Sequence, residues 1–175
     1  MDTITPDKTT LIENFLSSGE VFVNLVSSLP ENLIDASAAP GEWTIREIVH
    51  HVADDADLWC FAFKKAIACP GVPVRFEGFP GNERWFEALG FRTRPVAPAL
   101  ELIRAHRCMM AGLAACAPQD WSLANVELFG EQGTSLGKWS IDQIFSMLTN
   151  HLQEHIATIE TIKTAAGVQS TIVHA

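Results

Sequence analysis

His151 and His155 stand four residues apart in a stretch of helical periodicity, so their rings project from one face, one turn apart. Two imidazoles at this spacing can hold one metal ion. His155 falls within the apolar stripe between Leu152 and Ile159, and His151 borders it beside Leu148. A buried neutral imidazole still has a donor and an acceptor to satisfy, which a metal would explain for both. The alternative is a pair of core histidines with backbone partners. A third ligand is available at the adjacent His50 and His51, which point about 100° apart on a helix and cannot easily share one ion. His50 lies in a stripe with Arg46, Glu47, Asp54 and Asp57 and reads as surface, whereas His51, beside Ile48 and Val52, is the expected ligand. Three histidines leave open coordination positions, the pattern of catalytic sites. Asp55, one turn after His51, is a candidate fourth ligand, base or orienting partner of an imidazole, and Asp54 reads as solvated. His106 lies in a stripe with Leu102 and Met109, as a core residue or an acid–base group. Arg104 and Arg107 read as surface, Trp59 and Phe63 as core, and His174 falls in a polar tail.

Four helical stretches must position these residues. They run from about Pro6 to Ser28, Thr44 to Ala68, Pro98 to Ala117 and Ser140 to Ala166. Thr5 and Pro6 suit the start of the first, and the third carries the stripe Leu102, His106, Met109, Leu113, Cys116. The connections are Pro30–Pro40, a long Pro70–Pro95 with Phe76, Phe79, Trp85, Phe86 and Phe91, and Pro118–Gly137. A loop of the second kind suits a lid or binding loop, and the substrate is expected beneath it. Val72–Phe76 could be extended; no hairpin is expected. Gly41-Glu42-Trp43-Thr44-Ile45-Arg46-Glu47-Ile48 recurs as Gly137-Lys138-Trp139-Ser140-Ile141-Asp142-Gln143-Ile144. Each copy spells a capping box, Thr44 with Glu47 and Ser140 with Gln143, preceded by a tryptophan placed to staple onto Ile48 or Ile144. Two similar helical hairpins make an all-α four-helix bundle, expected as one domain over residues 1–166 with a tail from 167 to 175.

The chain has 175 residues, 47% of them hydrophobic, and a net charge of −9, with 12 basic residues against 21 acidic. One domain of this size buries enough surface to fold without disulfides. The acidic balance speaks against nucleic acid, and no apolar run is long enough to span a membrane. Cys60, Cys69, Cys108 and Cys116 fit neither a zinc ribbon nor a secreted disulfide framework, and Cys60 and Cys108 read as buried thiols. With no signal peptide in view, the expected compartment is the cytoplasm. Phosphate-binding glycine loops, Gly-x-Ser-x-Gly and His-Glu-x-x-His are absent.

Trp43–Asp54, followed by Asn-His-Leu-Gln-Glu-His-Ile at 150–156, resembles the DinB-like (DinB/YfiT) superfamily, and most of all its branch of metal-dependent hydrolases and bacillithiol transferases. Pro73-Val74-Arg75-Phe76 with Trp85-Phe86, and Ala105-His106-Arg107, are similar to further segments of that branch. The resemblance implies an up-down-down-up four-helix bundle, often dimeric, with a divalent metal, zinc or nickel most often, on His51, His151 and His155. It implies transfer of a low-molecular-weight thiol to an electrophile, with Asp55 or His106 assisting proton movement. Leu152 departs from the branch, which carries a histidine there, so the particular thiol is not set. Metal-dependent hydrolysis by an activated water and a non-catalytic metal- or ligand-binding stress protein are the alternatives.

Overall fold

The computed structural model describes residues 7–77 and 83–167. The expected start at Thr5–Pro6, Phe79 of the long loop and the tail beyond Gly167, His174 included, lie outside the described residues. Among the described residues six α-helices occur, α1 (Lys8–Ser27), α2 (Glu31–Ile34), α3 (Ile45–Ala68), α4 (Glu83–Ala88), α5 (Ala97–Leu113) and α6 (Ile141–Ala165). Asp7 caps α1, its carboxylate accepting from the Thr10 amide at 3.0 Å. Both echoed capping boxes are present. Glu47 accepts from the Thr44 amide at 2.8 Å while Thr44 Oγ1 accepts from the Glu47 amide. Gln143 accepts from the amide and hydroxyl of Ser140, each at 3.0 Å. Together these satisfy amides that a helix start leaves without intrahelical partners.

The four long helices form the bundle, and two apolar clusters show how they run. One cluster joins Leu11 and Phe15 of α1 to Phe63 of α3, Met110 of α5 and Phe145 of α6. The other joins Phe22 and Val26 of α1 to Ile45 and Val49 of α3, Ile103 of α5 and Ile159 of α6. The early part of α1 and α6 thus shares a cluster with the late part of α3 and α5, and conversely. α1 and α6 run one way, α3 and α5 the other. The largest core side chains, such as Phe15, Phe22, Phe63 and Phe145, are under 2% exposed, and burial of each contributes roughly 1.5–3 kcal/mol.

A three-stranded sheet is added to this bundle; its first strand lies within the extended piece expected at Val72–Phe76, whereas its hairpin is not expected from the sequence. β2 (Asn125–Phe129) pairs antiparallel with β3 (Ser135–Ser140) and parallel with β1 (Pro73–Arg75). Val126 and Leu128 point into the first apolar cluster while Glu127 faces out, the alternation of a half-buried strand. The reversal uses Gln132 and Gly133, both at positive φ. β3 leads directly into α6 through the Ser140 cap, which delivers Trp139 to the head of that helix.

Four further readings of the sequence are corrected. The face that α5 buries is Ala99, Leu100, Ile103, Arg107 and Met110, offset from the expected stripe, and Met109 is exposed. Cys108 and Cys116 are therefore exposed, and only Cys60 is a buried thiol. Arg107 is buried, donating to the Phe15 carbonyl, to Ser18 Oγ at 2.9 Å and to the Leu148 carbonyl at 3.0 Å. Burial lowers its pKa to about 10. His50, 2% exposed, is also internal, with Nε2 at 3.1 Å from the Arg94 carbonyl. The segment 83–96 covers that face of α3. It brings Arg92 to Glu47 at 2.8 Å and the Arg94 carbonyl to Arg46 at 3.0 Å, so Arg46 and Glu47 are buried too.

Candidate metal centre

α3 and α6 bring His51, His151 and His155 together, as expected from the helix faces. One ring nitrogen from each lies within 4.8 Å of the others. Nε2 of His151 is 3.2 Å from Nε2 of His51 and 2.9 Å from Nε2 of His155. Ligand bonds of about 2.0–2.1 Å in tetrahedral array would hold nitrogens roughly 3.3 Å apart, so three imidazoles fit one ion with little adjustment.

Hydrogen bonding alone accounts poorly for the cluster. A ring nitrogen has one in-plane position, filled by a proton or a lone pair. Nε2 of His151 can thus serve one neighbour well, not two. A central cation would satisfy three lone pairs at once. The ligands must be neutral for this. Burial, with repulsion from His151 second, lowers the His155 pKa to about 4.

Asp55 lies outside the ligand ring. Its Oδ2 is 3.3 Å from Nδ1 of His151, and its side chain is 4% exposed. A proton held on Nδ1 by this carboxylate leaves the Nε2 lone pair facing the other histidines. This placement suits an orienting partner of His151. Asp54 is turned elsewhere, accepting from Trp85 Nε1 at 3.0 Å with Arg94 at 3.8 Å.

His106 is not brought to the ligand cluster. Its Nε2 is 2.5 Å from Oδ1 of Asp57, a half-exposed carboxylate. It shares a cavity of about 20 Å³ inside the bundle with Asp55 and His151, room for a single water. Nδ1 of His106 and Oδ1 of Asp55 are both buried without a hydrogen-bond partner among the described residues.

The walls are aromatic, and here sequence reasoning missed functional candidates. Trp43 lies 5.0 Å from the His51 ring, 4.6 Å from Phe86 and 6.4 Å, nearly parallel, from His155. Trp139 packs at 5.6 Å on Trp59. On the α6 side, a groove of about 670 Å³ opens beside His151, lined by Asp55, Trp59, Trp139, Asp142, Met147 and Glu154 among others. The two echoed tryptophans thus flank the centre, and the repeated motif was the signal that could have found them. The groove is walled by α3, α6 and Trp139, not by the described residues of the long loop, beneath which the substrate was expected.

The sequence profile described as the DinB superfamily matches residues 15–159. The chain belongs to the DinB superfamily. Its fold is similar to that of YfiT from Bacillus subtilis, described as a probable metal-dependent hydrolase with an unusual four-helix bundle topology. The two are 17% identical, with a TM-score of 0.79 over 97% of this chain and 94% of that one. It is also similar, at 14% identity and a TM-score of 0.63, to a mycothiol-dependent maleylpyruvate isomerase, over 88% of this chain and 61% of that one. No curated protein matched significantly. Among the described residues, no helix is long and apolar enough to cross a membrane.

Proposed function

We propose that this DinB-superfamily protein is a metal-dependent enzyme that transfers a low-molecular-weight thiol to an electrophilic small molecule, with His51, His151 and His155 as the metal ligands. The observation that carries the reading is the convergence of three ring nitrogens, one of them backed by Asp55. A divalent ion there would make a coordinated thiol far more acidic. Zinc or nickel suits three imidazoles.

The chain's own residues supply the rest. Asp55 is a positioning residue, holding the Nδ1 proton of His151. Trp43 packs against the His51 and His155 rings, with Phe86 behind it, and covers the centre on one side. The groove beside His151 offers apolar surface at Trp59, Trp139 and Met147 for the substrate body. His106, sharing a cavity with Asp55 and reaching the half-exposed Asp57, is assigned the passage of the released proton toward solvent. The thiol dependence of the maleylpyruvate isomerase supports this reading, and the description of YfiT favours hydrolysis as the second.

The test is metal-loaded protein assayed with a panel of thiols and a chromogenic aryl halide, and separately with a chromogenic ester. Thiol-dependent arylation above the rate with free metal, lost in His151→Ala, is expected. Ester hydrolysis with no thiol reaction would establish the second reading instead.

A further inference from the structure

The groove beside His151 has a consistent electrostatic character. Its lining includes three carboxylates, Asp55, Asp142 and Glu154, and neither Lys nor Arg among the described residues. Asp55 faces His151. Asp142 and Glu154 enter no ion pair among the described residues. Oδ1 of Asp142 is buried without a hydrogen-bond partner there. Of the neighbouring cations, Lys8 borders a second groove that Asp142 also lines and lies over the Trp121 ring at 5.3 Å. Lys138 is the cross-strand partner of Glu127, and strand alternation sends its side chain to the face opposite Trp139. Arg92 and Arg94 pair with Glu47 and Asp54.

We propose that this groove selects substrates bearing a cationic group on an apolar body, with an ammonium toward Asp142 and Glu154 and hydrocarbon against Trp59, Trp139 and Met147. The inference rests on the groove being the substrate site of the proposed metal centre, and it names the charge class of what that site takes. Three carboxylates outweigh the double charge of a divalent ion on neutral imidazoles, so metal loading leaves the preference in place. The two indoles strengthen it, because a quaternary or primary ammonium is attracted to an aromatic face. The chain's net charge of −9 favours the approach of cations and opposes that of anions. Under this assignment a thiol substrate is neutral or carries an amine, and dicarboxylate thiols are disfavoured.

The experiment uses probes of similar size that lack a thiol. Binding of benzyltrimethylammonium and of benzenesulfonate to the metal-loaded protein is measured by calorimetry at low salt. The cation is expected to bind at least about tenfold tighter, as one or two nearby unit charges in a partly screened site would give, and the ratio should shrink in 0.5 M salt. In the isosteric double variant Asp142→Asn, Glu154→Gln the ratio should approach one. Glu154→Gln alone, at an exposed helix position, should lower it partway, which keeps the test open if the double variant folds poorly. Equal affinities, tighter sulfonate binding, no binding of the cation, or an unchanged ratio in both variants would overturn the inference. The thiol reading fails separately. Thiocholine added to cobalt-loaded protein should produce a sulfur-to-cobalt charge-transfer band, and its absence would count against thiol binding while leaving the charge preference standing.

Discussion

Oδ2 of Asp55 lies 3.3 Å from Nδ1 of His151, on the edge of the ring opposite the one that faces His51 and His155. Both residues are fixed by helices, Asp55 one turn after His51 on α3 and His151 one turn before His155 on α6. One carboxylate is thus placed beside a ring contributed by the opposing helix, where the proposed role is to orient it. Removing it with Asp55→Ala should weaken metal binding roughly 10–100-fold, the usual cost of losing such a partner. Competition against a chromophoric chelator measures this, and Asp55→Asn, which retains an acceptor oxygen, should fall between.

The metal-free protein should lose stability in mild acid. Burial holds His155 neutral down to about pH 4, below its ordinary value of 6.5. Above pH 6.5 neither folded nor unfolded chain carries this proton, so the full stability is present there. As pH falls from 6.5 toward 4 the unfolded chain binds the proton and the folded chain does not, so stability drops by on the order of 3 kcal/mol. Urea titrations of chelator-treated protein across this window, with His155→Gln as the control that flattens the slope, check it.

Gly19 is required by Arg107. A Cβ at Gly19 would sit 2.3 Å from Cδ of Arg107, and that side chain is pinned by three acceptors. Gly19→Ala should cost about 1–3 kcal/mol as overpacking. In an Arg107→Ala background the same substitution should cost much less, and a double-mutant cycle of denaturant midpoints reports the coupling.

The two capping boxes should contribute to stability by their side chains. Thr44→Ala removes the acceptor for the Glu47 amide and should destabilise by about 1 kcal/mol. Thermal unfolding of this variant beside Ser140→Ala would show whether both helix starts contribute alike.

Much of this was readable from the sequence because the relevant signals are local. The Thr44 and Ser140 boxes locate two helix starts within a residue, and four-residue spacing places His151 and His155 on one face. What escaped depends on distant partners or on weak contrast. α5 spreads Ala, Leu and Met around much of its circumference, so its apolar stripe has no clear phase, and Arg107 read as surface although carbonyls of α1 and α6 receive it. His50 is buried by the carbonyl of Arg94, 44 residues away. The hairpin strand Asn125–Phe129 does alternate, Val126 and Leu128 inward, but five residues beside a turn held by Gln132 at positive φ give a short signal. Trp43 and Trp139 read as helix staples and turn out to wall the site.

Metal content of the purified protein tests the three-histidine centre most directly. Mass-spectrometric metal analysis after exchange into metal-free buffer and one equivalent of zinc or nickel should find close to one ion per chain, with His151→Ala losing most of it while keeping its helical content. A wild-type chain that retains no ion, or a His151→Ala chain that holds one as tightly as wild type, would contradict it.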